Sequence, residues 1–320
     1  MTLPKPEPTP PVEPVSHEAS TVERIGRELV EAGFSPPAGE RWFGDDAAVV
    51  GPVPSGQQVV LCTDAAVESV HADLDLLGPA ALGWRAVVAT LSDLGAMGSI
   101  PWRLVVSVAA SPAASVDSLM EGAIAAAARF GCPVVGGDVT SSATAVVSVA
   151  GVGLVDEGRA VGRDGACVGD ALFLTGRLGA SAAGLRAWRR GEGDSALGLA
   201  HLRPEPRLSE GRIAGACGAR AMIDISDGLS IDARRMAVAS GVGFSLSRVP
   251  VAPGASLEDA LGGGEDYELL IATGDRDALR DAFARNGLRE PLEIGVCTPA
   301  DKGYVLDGGA LPHIGWQHDV

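Results

Sequence analysis

From residue 19 onward the chain alternates short β-branched runs with helical patterns that end at glycine, and this alternation confines it to a mixed α and β fold. STVERIGRELVEAG (20–33) is amphipathic, with a Ser or Thr cap and a Gly stop, and SVDSLMEGAIAAAARFG (115–131) repeats the device. The Ala-rich segment 78–98 also has helical period, whereas 57–64, 101–110, 132–138 and 142–155 read as strands. A turn-rich stretch, DEGRAVGRDGACVGD (156–170), interrupts the pattern. Beyond it, strands at 171–176, 221–226, 243–250, 267–273 and 292–297 alternate with helices near 180–190, 205–218, 229–240 and 275–287. The strands are too irregularly spaced for simple βαβ winding, and 320 residues suffice for two cores. The expectation is therefore an α+β protein with an N-terminal domain over 18–160 and a C-terminal domain over 161–320. Residues 1–17, with six prolines and few apolar side chains, read as a disordered tail without the apolar core of a secretory signal.

Charge narrows the chemistry. Twenty-five basic residues against 41 acidic ones give a net charge of −16, a field that repels nucleic-acid phosphate. Only two of the basic residues are lysines, Lys5 and Lys302, so a mechanism that needs a lysine inside the fold has almost nothing to use. Five cysteines without a C-x-x-C pair read as reduced thiols, and the apolar runs fall short of a membrane span. A soluble cytoplasmic protein is expected.

The acidic residues gather where strands or turns end: Asp45-Asp46, Thr63-Asp64, Ser92-Asp93, Gly137-Asp138, and Asp224-Ile225-Ser226-Asp227. Any one of these could be a turn or a helix cap. Five together are harder to explain that way, because clustered carboxylates repel unless cations hold them. Hard ions such as Mg²⁺ take oxygen ligands of this kind and keep phosphate oxygens in their shell. No G-x-x-x-x-G-K-[ST] motif, kinase lysine motif or G-x-G-x-x-G fingerprint is present. That leaves phosphoryl transfer in which several Mg²⁺ ions, arginines and backbone N–H groups replace the lysine, with Arg163 a phosphate contact or a solvated turn residue.

The ordered series GDDAAV (44–49), TDAAVESVH (63–71), LSDLGAMG (91–98), GGD (136–138), GRDGACVGD (162–170), LTGRLGASAAGL (174–185), HLRPEPR (201–207), IDISDGL (223–229) and GGEDYELL (263–270) resembles the thiamine-monophosphate kinases, a family of the aminoimidazole ribonucleotide synthetase superfamily. The resemblance implies ATP-dependent phosphorylation of thiamine monophosphate to thiamine diphosphate by direct in-line transfer with several Mg²⁺ ions. It implies that Asp46, Thr63, Asp64, Asp93, Asp138, Asp224 and Asp227 bind metal, with Cys62 contributing through backbone or side chain where the family commonly has Ser. Asp64, Asp93, Asp138 and Asp227 would form the catalytic centre, and Gly137, Asp138, Arg163 and Ser226 would contact ATP. His71, Glu265 and Trp316 would belong to the thiamine-phosphate side. The implied architecture is two α+β domains, both of the aminoimidazole ribonucleotide synthetase type, and a homodimer formed by the N-terminal sheets.

There are departures. Ser69 and Ala72 stand where the family often has Gly and an aromatic, and Asp319 replaces a terminal aromatic, leaving Trp316 as the aromatic near the C-terminus. Sister enzymes that make selenophosphate or aminoimidazole ribonucleotide, or dehydrate a carbamoylated partner, depend on lysines or terminal cysteines absent here. A catalytically silent nucleotide-binding scaffold is the rival from another class; the intact acidic set argues against it.

Overall fold

The computed structural model describes residues 17–43 and 47–317; Asp45, Asp46, Asp319 and all of the Pro-rich tail before His17 lie outside these. The N-terminal half runs α1 (His17–Glu31), β1 (Gln57–Val67), α2 (Leu74–Leu77), α3 (Pro79–Ala96), β2 (Ile100–Ala110), α4 (Val116–Phe130), β3 (Val134–Ser141) and β4 (Val146–Asp156). The C-terminal half runs β5 (Ala171–Leu174), α5 (Ala180–Arg189), α6 (Ala196–Leu202), α7 (Leu208–Ala216), β6 (Ala221–Asp224), α8 (Leu229–Ser240), β7 (Val242–Leu246), α9 (Leu257–Gly262), β8 (Leu269–Thr273), α10 (Arg276–Arg285), β9 (Leu292–Pro299), β10 (Tyr304–Leu306) and β11 (Gly309–Ala310). The fold is α+β, with a four-stranded sheet in order β1-β4-β2-β3 and a seven-stranded sheet in order β11-β10-β7-β9-β5-β8-β6.

Caps set some helix ends but not the first, because α1 starts at His17 and takes the expected cap residues Ser20 and Thr21 inside the helix. Ser115 accepts from the Ser118 N–H to start α4, and Gly131 in the left-handed conformation ends it. The long apolar helix α3 is hydrophobic nearly all round because it is buried nearly all round. It packs on the small sheet and on α4 at a crossing where side chains have no room. A Cβ at Gly83 would lie 1.9 Å from the Leu119 carbonyl oxygen, and one at Gly122 1.8 Å from that of Ala80. The other side of α3 reaches the C-terminal half, where Trp84 Nε1 donates to the Pro204 carbonyl oxygen at 3.0 Å.

In the small sheet, Val106, Val108, Val147 and Val149 point into this core, and the opposite face is open. That open face exposes Val59, Leu61 and Val105. The expected strand over 267–273 begins only at Leu269, because Glu265 and Tyr267 adopt positive φ (64° and 50°). Helices α6 and α9 are short, and sequence periodicity did not separate them from their loops.

Candidate active site

Strand β1 ends beside α3 and β6 ends against the same helix, so the acidic ends of three elements from both halves meet. Asp64, Asp93, Asp224 and Asp227 line one cleft of about 450 Å³. Asp64 and Asp93 are hydrogen-bonded to each other, and burial together with neighbouring carboxylates raises both; Asp93 is pushed up to about 7. Asp224 is buried, which together with the charge of Asp93 pushes it up to about 6, although the Ser92 hydroxyl donates to it at 2.6 Å. Arg163 is exposed, and its positive charge acts in the opposite sense on both Asp93 and Asp224.

The turn after β6 is built by Asp232, a residue that sequence reasoning missed. Its Oδ2 accepts from the backbone N–H groups of Ser226, Asp227 and Gly228 at 3.1, 2.9 and 3.1 Å. Those donors are therefore occupied, and Ser226 has its hydroxyl left for a ligand. Arg235 pairs with both Asp232 and Asp227, fixing the Asp227 carboxylate at the cleft. The signal was an Asp in the first turn of a helix that follows S-D-G.

His71, Ser69, Glu265, Tyr267 and Trp316 line the same cleft. His71 Nδ1 accepts from the Val67 N–H at 3.0 Å, which leaves the proton of the neutral ring on Nε2. Glu265 is paired with Arg85, a buried arginine of α3 that also went unnoticed in the sequence. Its signal was a lone charge among the apolar residues of GWRAVVATL (83–91).

Other expected site residues lie elsewhere. The Cys62 thiol turns inward and donates to the Thr90 carbonyl oxygen at 3.4 Å, and burial pushes it up to about 12. Thr63 alternates to the open face of the sheet. Asp64 is in register with Val149, Val149 with Val106, and Val106 with Gly137, which puts Asp64 and Gly137 on opposite edge strands. Three strand spacings of about 4.8 Å separate those backbones by roughly 14 Å. Asp138, one residue on, points to the other face, in register with Ser107. Gly137 and Asp138 line a second cleft of about 680 Å³ with Val22, Ile25, Trp42 and Phe43. Ala47 and Ala48, which follow the acidic pair at 45–46, border it too.

Among the described residues no three His, Cys, Asp or Glu side chains converge as a ready metal site. The main cleft nevertheless offers hard oxygen donors whose mutual repulsion Arg163 and Arg235 offset only in part, since Asp93 and Asp224 stay raised, and this suits divalent cations that complete their shells with phosphate oxygens.

The chain matches the AIR synthase related protein N-terminal domain over residues 44–155 and the corresponding C-terminal domain over 168–308. It is 36% identical to the thiamine-monophosphate kinase of Mycobacterium tuberculosis, over 94% of this chain and 93% of that one. The crystal structure of thiamine-monophosphate kinase from Stenotrophomonas maltophilia superposes with a TM-score of 0.78 at 30% identity, covering 91% of this chain and 96% of that one. A structure described as AaThiL complexed with AMPPCP and TMP gives 0.73 at 30% identity, covering 94% and 97%.

Proposed function

The chain belongs to the thiamine-monophosphate kinase family, and on that premise we propose that it transfers the γ-phosphoryl group of ATP in line onto the phosphate of thiamine monophosphate, with several Mg²⁺ ions bound. The observation that carries this reading is the meeting of Asp64, Asp93, Asp224 and Asp227 on one cleft that His71, Glu265 and Trp316 also line. Asp64, Asp93, Asp224 and Asp227 would hold magnesium, which neutralises phosphate charge when bound; Asp46, Thr63 and Asp138 are further oxygen donors of the set. Ser226, through its hydroxyl, and Arg163 would take the ATP phosphates, and Gly137 and Asp138 would meet the nucleotide from β3.

An acceptor phosphate oxygen attacks the γ-phosphorus, the bond to the β–γ bridging oxygen breaks, and ADP leaves. The attacking oxygen is already anionic near neutral pH, so no strong base is needed and alignment supplies most of the rate. No phosphoenzyme forms.

The same proposal includes a cytoplasmic homodimer. The exposed Val59, Leu61 and Val105 form an unpartnered sheet face that a second copy would cover. No helix among the described residues is long and apolar enough to cross a membrane.

The test is incubation with Mg·ATP and thiamine monophosphate. Thiamine diphosphate and ADP should appear in equal amounts and only with the divalent ion. ATP hydrolysis without thiamine diphosphate would overturn the reading.

A further inference from the structure

We propose that Arg85 is a positioning residue for acceptor recognition, holding Glu265 as an oriented hydrogen-bond acceptor on the cleft wall; this rests on the acceptor role given to Glu265 above. Arg85 is 1% exposed, and an arginine so buried must find partners or carry a large desolvation cost. It finds two across the boundary between the halves. Nη1 donates to Glu265 Oε2 and Nη2 to the His201 backbone carbonyl oxygen. Its Nε is buried without a partner among the described residues.

A pair serving only the core would be sealed on every side. This one is not, because the Glu265 side chain keeps 24% of its exposure and both residues line the main cleft. Glu265 also holds φ at +64°, and Tyr267 two residues later at +50°. Non-glycine residues keep such backbones only where their surroundings over-determine them, and they concentrate at functional sites. Here the Glu265 and Tyr267 N–H groups donate to the carbonyl oxygens of Ser226 and Ile225 at 2.8 and 2.9 Å and hold the turn, while the planar fork of Arg85 fixes the Glu265 side chain by tying it to α3 and α6 together. A lysine could not reproduce two divergent, fixed donors.

The consequence is chemical. Glu265 faces the cleft as half of an ion pair, with one oxygen engaged and the other directed by the fork. It then recognises its ligand by geometry: a ring N–H or amino donor in a fixed place beside a delocalised cation, as a protonatable pyrimidine joined to a thiazolium provides. Nucleotide phosphates, which the aspartates with their ions would carry, present no such donor to it.

Arg85→Lys tests this, with steady-state kinetics in each substrate, calorimetric titration of thiamine monophosphate without ATP, and a thermal melt. The KM and the calorimetric Kd for thiamine monophosphate should rise about tenfold while the KM for ATP stays within twofold. Glu265→Gln should give the same selective loss, and the double variant should be no worse than Glu265→Gln alone. Additive losses, equal shifts in both KM values, or a lowered Tm with an unchanged thiamine monophosphate Kd would overturn the Arg85 role. Failure of the unaltered chain to bind thiamine monophosphate would instead overturn the acceptor reading on which it stands.

Discussion

Ser92 on α3 donates its hydroxyl to the Asp224 carboxylate at the end of β6, 2.6 Å away, so one hydrogen bond joins the two halves inside the acidic cluster. Both residues are buried. Ser92→Ala leaves a carboxylate without its neutral donor, which should cost about 1–3 kcal/mol. A thermal melt and a Mg²⁺ titration of activity would show a lower Tm and a higher Mg²⁺ requirement. A variant equal to the parent in both would mean that the bond is incidental.

Asp64→Asn and Asp93→Asn should each lower kcat by about 100-fold or more, since in the proposed mechanism the site acts through charge placed where phosphate charge develops. In the absence of Mg²⁺ the same variants should melt no lower than the parent, because each removes one member of a repelling pair. Combining them should add little further loss of turnover, as expected for residues that act through shared ions. Full turnover in Asp64→Asn would remove that residue from the mechanism.

His201 should make the fold acid-sensitive. Its ring is buried and faces the positive charges of Arg85 and Arg189, while Nδ1 pairs with the Ser181 hydroxyl at 3.0 Å; burial first and those arginines next hold it down at about 3. The unfolded chain therefore binds a proton below about pH 6.5 that the folded chain refuses, and this residue's contribution falls as pH drops from 6.5 toward 3. The slope is about 1.4 kcal/mol per pH unit. Melts from pH 7 to 5 should show a steeper loss for the parent than for His201→Gln. Parallel curves would place the acid sensitivity elsewhere.

Asp232→Ala strips three backbone N–H groups of their acceptor and frees Arg235 from one of its two carboxylates. Destabilisation by about 3 kcal/mol is expected. Asp232→Asn, which keeps one oxygen, should fold and show a raised KM for ATP through the displaced Ser226. An unchanged KM for ATP in that variant would argue that the turn shapes itself.

Leu61, 71% exposed on the open sheet face, is the natural probe of self-association. Light scattering should find the parent dimeric and Leu61→Glu monomeric at micromolar concentration. A parent that is monomeric throughout would set the homodimer aside.

Much of the cleft could be read from local pattern. Asp93 and Asp224 stand in the last turn of a helix and at the end of a strand beside small residues, Asp64 stands three residues before β1 ends, and the structure brings them together. The sequence does not reveal strand register, and register is what separates Asp138 from them: a shift of one residue and two intervening strands send it to the other face and the far edge. For the same reason the inward turn of the Cys62 thiol was invisible. Arg85 and Asp232 were missed because their partners lie in segments that only the tertiary fold brings near, or in backbone N–H groups that carry no side-chain signature.

Helix α3 belongs to both cores at once, pressed backbone-to-backbone on α4 and bonded through Trp84, Arg85 and Ser92 to the C-terminal half. A hinge between the halves would have to strip a buried guanidinium of both its partners, so the two sheets are mechanically one body. Cooperativity follows: the amides of α3 should share the slowest hydrogen-exchange class with strands of both sheets, and the chain should unfold in one transition instead of two.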